Sequence, residues 1–130
     1  KKIKDKFFTL LKDKDWPVRS QAIKYFTTIK TEDKKIKDKI FSFLKDKDRR
    51  VRSQAIKYFT TIKTEDKKIK DKFFTLLKDK DWHVRYQAIE YLSKHARKES
   101  IKKAPKLFAK GDISTKIGAY HLMKAILTTQ

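Results

Sequence analysis

Residues 12–39 read KDKDWPVRSQAIKYFTTIKTEDKKIKDK, and the stretch returns at 45–72 with Arg49-Arg50 in place of Trp16-Pro17. It starts again at Lys78 and runs in step to Leu92 before the match decays. Ile3, Ile36 and Ile69 keep the register, as do Val18, Val51 and Val84. A fixed period of 33 residues is the signature of stacked supersecondary units, each packed on its neighbours, not of one closed core.

Within one period, residues 31–63, the apolar spacing identifies the unit. Ile36, Ile40, Phe43 and Leu44 fall at i, i+4, i+7 and i+8, one stripe of a helix that ends near Lys45, and Phe41 widens it. Thr31 is the expected cap, with Glu32 and Asp33 in the first turn. Asp46-Lys47-Asp48 is a polar turn, and Asp48 is placed to cap a second helix whose stripe is Val51, Ala55, Ile56, Phe59 and Ile62. In the first unit Pro17 falls in the first turn of that helix, where a missing N–H is tolerated. Lys63 puts positive charge at its C-terminal end. Each unit is an antiparallel helix pair that cannot bury its stripes alone. The units are expected at about 1–30, 31–63 and 64–96, with a degenerate fourth or capping unit at 97–130.

The string Asp-x-Asp-Trp-x-Val-Arg-x-x-Ala, present as Asp13, Asp15, Trp16, Val18, Arg19 and Ala22 and repeated from Asp46 and Asp79, resembles the HEAT and HEAT-like repeat. The resemblance covers residues 1–96 strongly. It implies an all-α fold, a right-handed α-solenoid of stacked antiparallel helix pairs. It also implies a ladder between neighbouring repeats through the pairs Asp13/Arg19, Asp46/Arg52 and Asp79/Arg85. A charge-assisted, bidentate pair suits that structural role. The first helices lack the proline that bends many helices of the family, so straighter ones are expected.

The fourth unit departs from the pattern. A first helix is expected over 100–110, interrupted or kinked by Pro105. Gly111-Asp112 is a turn and cap. A second helix runs from Asp112 to Leu127 with Ile113, Ile117, Tyr120, Leu122 or Met123, and Leu127 on one side. Aligning Asp112 with Asp81 places Ala119 on Ala88 and Thr115-Lys116 where the other units have Val-Arg, and leaves the ladder Asp absent. The chain begins without Met part-way into a unit, and its last helix is rich in apolar residues for a closing face, so continuation of the array is expected.

With 36 basic and 16 acidic residues the chain carries +20. Such a charge attracts polyanions, either acidic protein surfaces or nucleic acid, and equally keeps an array soluble. Hydrophobic residues at 38% and only two Gly and two Pro argue for ordered helices. No Cys is present, so disulfides and thiolate chemistry are excluded. No apolar run reaches a membrane span. An intracellular, cytoplasmic setting is expected.

No catalytic, cofactor-binding or metal-binding constellation emerges. His83, His95 and His121 do not share ligand spacing on one helix, and none precedes a Glu. Two Gly cannot build a nucleotide loop. The carboxylates fit caps, ladder positions and i,i+4 pairs such as Asp33/Lys37 and Asp66/Lys70. Trp16 and Trp82 recur at one unit position and so are expected to pack; base stacking, as in HEAT-like DNA glycosylases, is a secondary reading.

In arrays of this kind the second helices line the concave face, so ligand contacts are expected from Gln21 and Lys24, from Gln54 and Lys57, and from Tyr86, Gln87 and Glu90. Arg49-Arg50 is the sharpest phosphate or carboxylate candidate. The expected function is a non-enzymatic scaffold that recognises a protein or peptide, with acidic partners favoured; sequence-independent nucleic-acid binding is the alternative. A designed consensus array is a third reading, opposed by the irregular fourth unit.

Overall fold

The computed structural model describes residues 2–128, and among these it contains eight α-helices and no strand. They are α1 (Lys2–Leu10), α2 (Trp16–Thr28), α3 (Lys34–Ser42), α4 (Arg49–Ile62), α5 (Lys67–Thr75), α6 (Trp82–His95), α7 (Arg97–Lys110) and α8 (Ile113–Thr128). The chain divides into two compact halves, one ending at Thr64 and the other beginning at Glu65.

In the first half, α1 packs on α2, α3 on α4, and α2 on α4. The stripe expected from Ile36, Ile40, Phe43 and Leu44 is buried in full. Its last two members leave the α-helix: Phe43–Lys45 tightens into a 3-10 turn before the Asp46 loop. Val51, Ala55, Ile56 and Phe59 are buried on α4, and Ala22, Ile23 and Phe26 on α2. Phe7 stacks on Tyr25 with ring centroids 4.0 Å apart. Tyr58 is buried and its hydroxyl donates to the Thr31 carbonyl at 2.6 Å. Burial, with Glu32 and Asp33 adding to it, pushes the Tyr58 phenol well above its ordinary value.

The helix ends correct one expectation. Asp33, not Thr31, caps α3: its carboxylate accepts from the Lys35 and Ile36 amides at 3.0 and 3.4 Å, while the Thr31 hydroxyl accepts from the Asp33 amide. Asp66 plays the same part for α5, accepting from Lys68. Asp48 and Asp81 cap α4 and α6 as expected. Asp15 holds the same position before α2 but makes no capping bond with its side chain. The donor that Asp48 uses is the Arg50 amide, and its counterpart in the first repeat is Pro17, which has no N–H. Lys30 and Lys63 end their helices with φ of 52°, a left-handed turn that is normally left to Gly.

In the second half, α5 packs on α6, and α8 packs on α7, α6 and the 3-10 turn Leu76–Lys78. Ile69, Phe73, Leu77, Val84, Ala88, Tyr91 and Leu92 form its core with Ala104, Ala119, Leu122 and Ile126. The Ser100 hydroxyl, buried, donates to the Leu92 carbonyl at 3.0 Å. The helix expected from residue 100 starts at Arg97 and runs through Pro105 to Lys110, with Pro105 on its exposed side. The face predicted for α8 is also corrected. Ile113, Ile117, Tyr120 and Leu127 are exposed, and Gly118, Ala119, Leu122 and Ile126 face inward. Small size rather than hydrophobicity decides this. A Cβ on Gly118 would lie 2.8 Å from the Leu77 Cβ and against the Leu77 carbonyl oxygen, so only a glycine lets α8 come so close.

Candidate binding surfaces

In the first half, the ladder Arg19 leaves α2 and meets the Asp46 carboxylate with two bonds, Nε to Oδ2 at 3.0 Å and Nη2 to Oδ1 at 3.1 Å. Its Nη1 donates to the Asp13 and Lys14 carbonyls. The expected pairing of Asp13 with Arg19 is therefore through the main chain, and the carboxylate partner lies one repeat further on. Arg52 and Arg85 likewise donate to the carbonyls of Asp46 and Asp79, six residues back.

Arg50 is committed to a carboxylate of its own repeat and to a ring of the preceding one. Its Nε and Nη2 donate to the two Asp48 oxygens at 3.1 and 2.9 Å, and its guanidinium lies 3.5 Å from the centroid of the Trp16 ring. The hydrogen bond from Arg50 holds the Asp48 carboxyl below the usual range. Of the pair Arg49-Arg50, Arg50 already serves a carboxylate, and Arg49 is exposed. Trp16 is half-buried under that guanidinium beside a shallow hollow of about 570 Å³ lined by Lys14, Pro17, Arg19 and Lys47. Gln21, Lys24 and Lys57 are exposed, whereas the Gln54 side chain is partly sunk, with a buried Oε1 that accepts no hydrogen bond among the described residues.

In the second half, Tyr86 and Glu90 are exposed and Gln87 is half-buried on α6. Glu90 pairs with Lys94 at 3.5 Å. Trp82, expected in the core, is 68% exposed and meets the His83 ring edge-on. Recurrence at one unit position does not place both Trp in the core, because each stands at the mouth of its helix.

A surface that the sequence did not reveal lies between α5 and α7. A cleft of about 460 Å³ is lined by Phe74, by Lys67, Lys70, Lys102, Lys103 and Lys106, and by Glu65, Asp71 and Glu99. The Lys70 ammonium, buried at its base, donates to Glu99 at 2.9 Å and Glu65 at 3.0 Å. These bonds hold its pKa above the ordinary value and hold the Glu99 carboxyl below its own. Asp71 takes Lys67 at 2.8 Å and Lys103 at 3.8 Å, and the Lys103 ammonium stands 4.9 Å over the Phe74 ring. All three carboxylates are occupied. Lys102 and Lys106, one turn apart on α7 and exposed, have no carboxylate partner among the described residues. Their i,i+4 spacing was readable in the sequence; that α7 brings them beside Phe74 of α5 was not.

The family description HEAT repeats matches residues 3–69 and again 38–114. The chain belongs to the HEAT-repeat family. Its helix pairs, its Asp/Arg bonds and its 33-residue period are those of a helical repeat array, the α-solenoid class. HEAT repeats generally serve as protein-interaction scaffolds. No curated protein matches this HEAT-repeat chain at a significant level. Among the described residues no cluster of His, Asp and Glu is arranged to hold a metal ion, and no helix is long and apolar enough to cross a membrane.

Proposed function

We propose that this HEAT-repeat chain is a non-catalytic scaffold that binds an acidic protein segment, and that the α5/α7 cleft is its anchoring site. The cleft carries the reading. It combines an apolar floor at Phe74 with lysines in excess of carboxylates, and its volume falls within the range of about 300–1,000 Å³ that ligand pockets occupy. An aromatic or aliphatic side chain would fill the floor while flanking carboxylates reach Lys102 and Lys106. The net charge of +20 steers such a partner from a distance.

Titration calorimetry with a Glu-rich peptide carrying one Phe tests this. The wild type is expected to bind, and Lys102→Glu/Lys106→Glu to weaken binding about tenfold or more, equivalent to ~1.4 kcal/mol. Unchanged binding by that variant would remove the cleft from consideration. Replacing the peptide with duplex DNA separates the alternative: affinity that falls log-linearly with salt over many phosphates, and exceeds the peptide's at physiological salt, would put nucleic acid first.

A further inference from the structure

We infer that the acidic partner segment is an α-helix that lies along a groove between α5 and α7 and seats two apolar side chains, one turn apart, in two adjoining cavities. The inference rests on the assignment of the cleft to an acidic protein segment and adds the form of that segment. The cleft of about 460 Å³ does not end at Phe74. A second cavity of about 220 Å³ shares Asp71, Phe74 and Lys103 with it and continues past Thr75 to Leu107 and Thr115. The shared Lys103 ammonium, over the Phe74 ring and 3.8 Å from Asp71, stands where the two meet. The lining advances in the same sense on both sides, from 65–74 to 71–78 on the α5 side and from 99–106 to 103–107 on α7. The groove therefore runs with the two helices, and the step between its cavities averages about four residues, or one helical turn of ~5–6 Å.

That step equals the spacing of side chains at i and i+4 on one face of a helix. An extended segment places alternate side chains at a similar distance, ~7 Å, so spacing alone does not choose between them. The walls do. Helices α5 and α7 bond their main-chain groups internally, and the Glu65, Asp71 and Glu99 carboxylates are taken by lysines. An extended partner would find no carboxylate left to accept from its N–H groups, whereas a helix satisfies its own. Charge points the same way. Lys102 and Lys106 stand on the α7 side of the groove, and Lys78, which shares its field with Asp112, stands on the other. Carboxylates on both flanks of a helical stripe reach both sets, while in an extended segment the residue between two anchors points away from the groove. The recognition mode is that of an amphipathic helix laid in a groove. Leu107, half-buried, supplies the apolar wall that the second anchor meets.

Titration calorimetry of the whole chain with a set of Glu-rich peptides tests the inference. A peptide with Phe and, four residues on, Leu is expected to bind about tenfold more tightly than the single-Phe peptide, and to gain helical circular dichroism on binding. Moving the Leu to two residues from the Phe, or placing Pro between the two anchors, is expected to abolish that gain. Leu107→Gln is expected to abolish it too, while leaving the affinity for the single-Phe peptide unchanged. Binding of the single-Phe peptide with no gain from the second anchor overturns the inference and leaves the acidic-partner reading in place. So does a gain that survives Leu107→Gln, which removes the second cavity, or a Pro peptide that binds as tightly as its parent, which makes the bound segment extended. Absence of binding by every peptide overturns both.

Discussion

The Arg19 guanidinium and the Asp46 carboxylate, 27 residues apart, bind each other with two hydrogen bonds while the same arginine holds the Asp13 and Lys14 carbonyls. One side chain thus ties the loop of its own repeat to the loop of the next. Both partners are nearly buried, with side-chain exposures of 12% and 8%. Arg19→Leu leaves the Asp46 charge short of its partner and frees two carbonyls, and is expected to cost about 3 kcal/mol. Arg19→Lys keeps the charge but not the planar fork and is expected to recover less than half of that. Urea midpoints of the two variants check the order; equal stability of Arg19→Leu and wild type would deny the ladder any structural weight.

The caps of the second helices differ in a way that stability can read. Asp81 accepts from the His83 and Val84 amides, so Asp81→Ala is expected to cost about 1 kcal/mol. Asp15 makes no such bond ahead of Pro17, so Asp15→Ala is expected to cost no more than a few tenths of a kcal/mol. Thermal melts of the two variants, run side by side, should separate them; a larger loss in Asp15→Ala would contradict the role given to Pro17.

How much of this was legible in the sequence depended on whether a signal was periodic. The stripe Ile36, Ile40, Phe43 and Leu44 recurs with helical spacing and could be read directly. The cap of α3 could not, because Thr31 and Asp33 are both competent and a local turn, in which the Thr31 hydroxyl serves the Asp33 amide, makes the choice. The face of α8 was misread because hydrophobic side chains were assumed to lie inward, while the backbone approach allowed by Gly118 is what orients the helix. Arg50 stood out as a departure from the repeat. Its commitment to Asp48 and Trp16 depends on side-chain geometry that no spacing reveals. The α5/α7 cleft joins residues about 30 positions apart, four of them, Glu99, Lys102, Lys103 and Lys106, in the degenerate repeat where no register guided the reading.

Gly118 gives the sharpest packing test. In an exposed helix Gly→Ala stabilises by about 1 kcal/mol through helix propensity. Here the added Cβ would press on the Leu77 main chain, which cannot swing aside as a side-chain tip would. Gly118→Ala is expected to lose about 1–2 kcal/mol net, since overpacking costs ~1–3 kcal/mol. Hydrogen exchange should show the loss concentrated in α8 and the Leu76–Lys78 turn. A stabilised variant would mean that α8 sits farther from Leu77.

The bonds of Lys70 to Glu99 and Glu65 give the second half a pH dependence of definite sign. Glu99 is held below its ordinary value of 4.5, so the folded chain binds that proton less readily than the unfolded chain. Its contribution is present above pH 4.5 and is lost as the pH falls through the lower, folded value. Lys70 is held above 10.5, so its contribution is present below that pH and is lost only as the pH rises through its folded value. At neutral pH both are in place. The Glu99 side chain is 48% exposed, which limits the effect through solvent screening to about 0.5–1 kcal/mol. Glu99→Gln is therefore expected to be less stable than the wild type by that amount at pH 7, and the gap should narrow as acidification below pH 4.5 brings the wild-type carboxylate toward its lowered folded value. Urea midpoints of both proteins at neutral and acid pH measure it. A gap that persists undiminished however far below pH 4.5 the measurement is carried would show that the shape of the glutamate, rather than its charge toward Lys70, secures α7 beside α5.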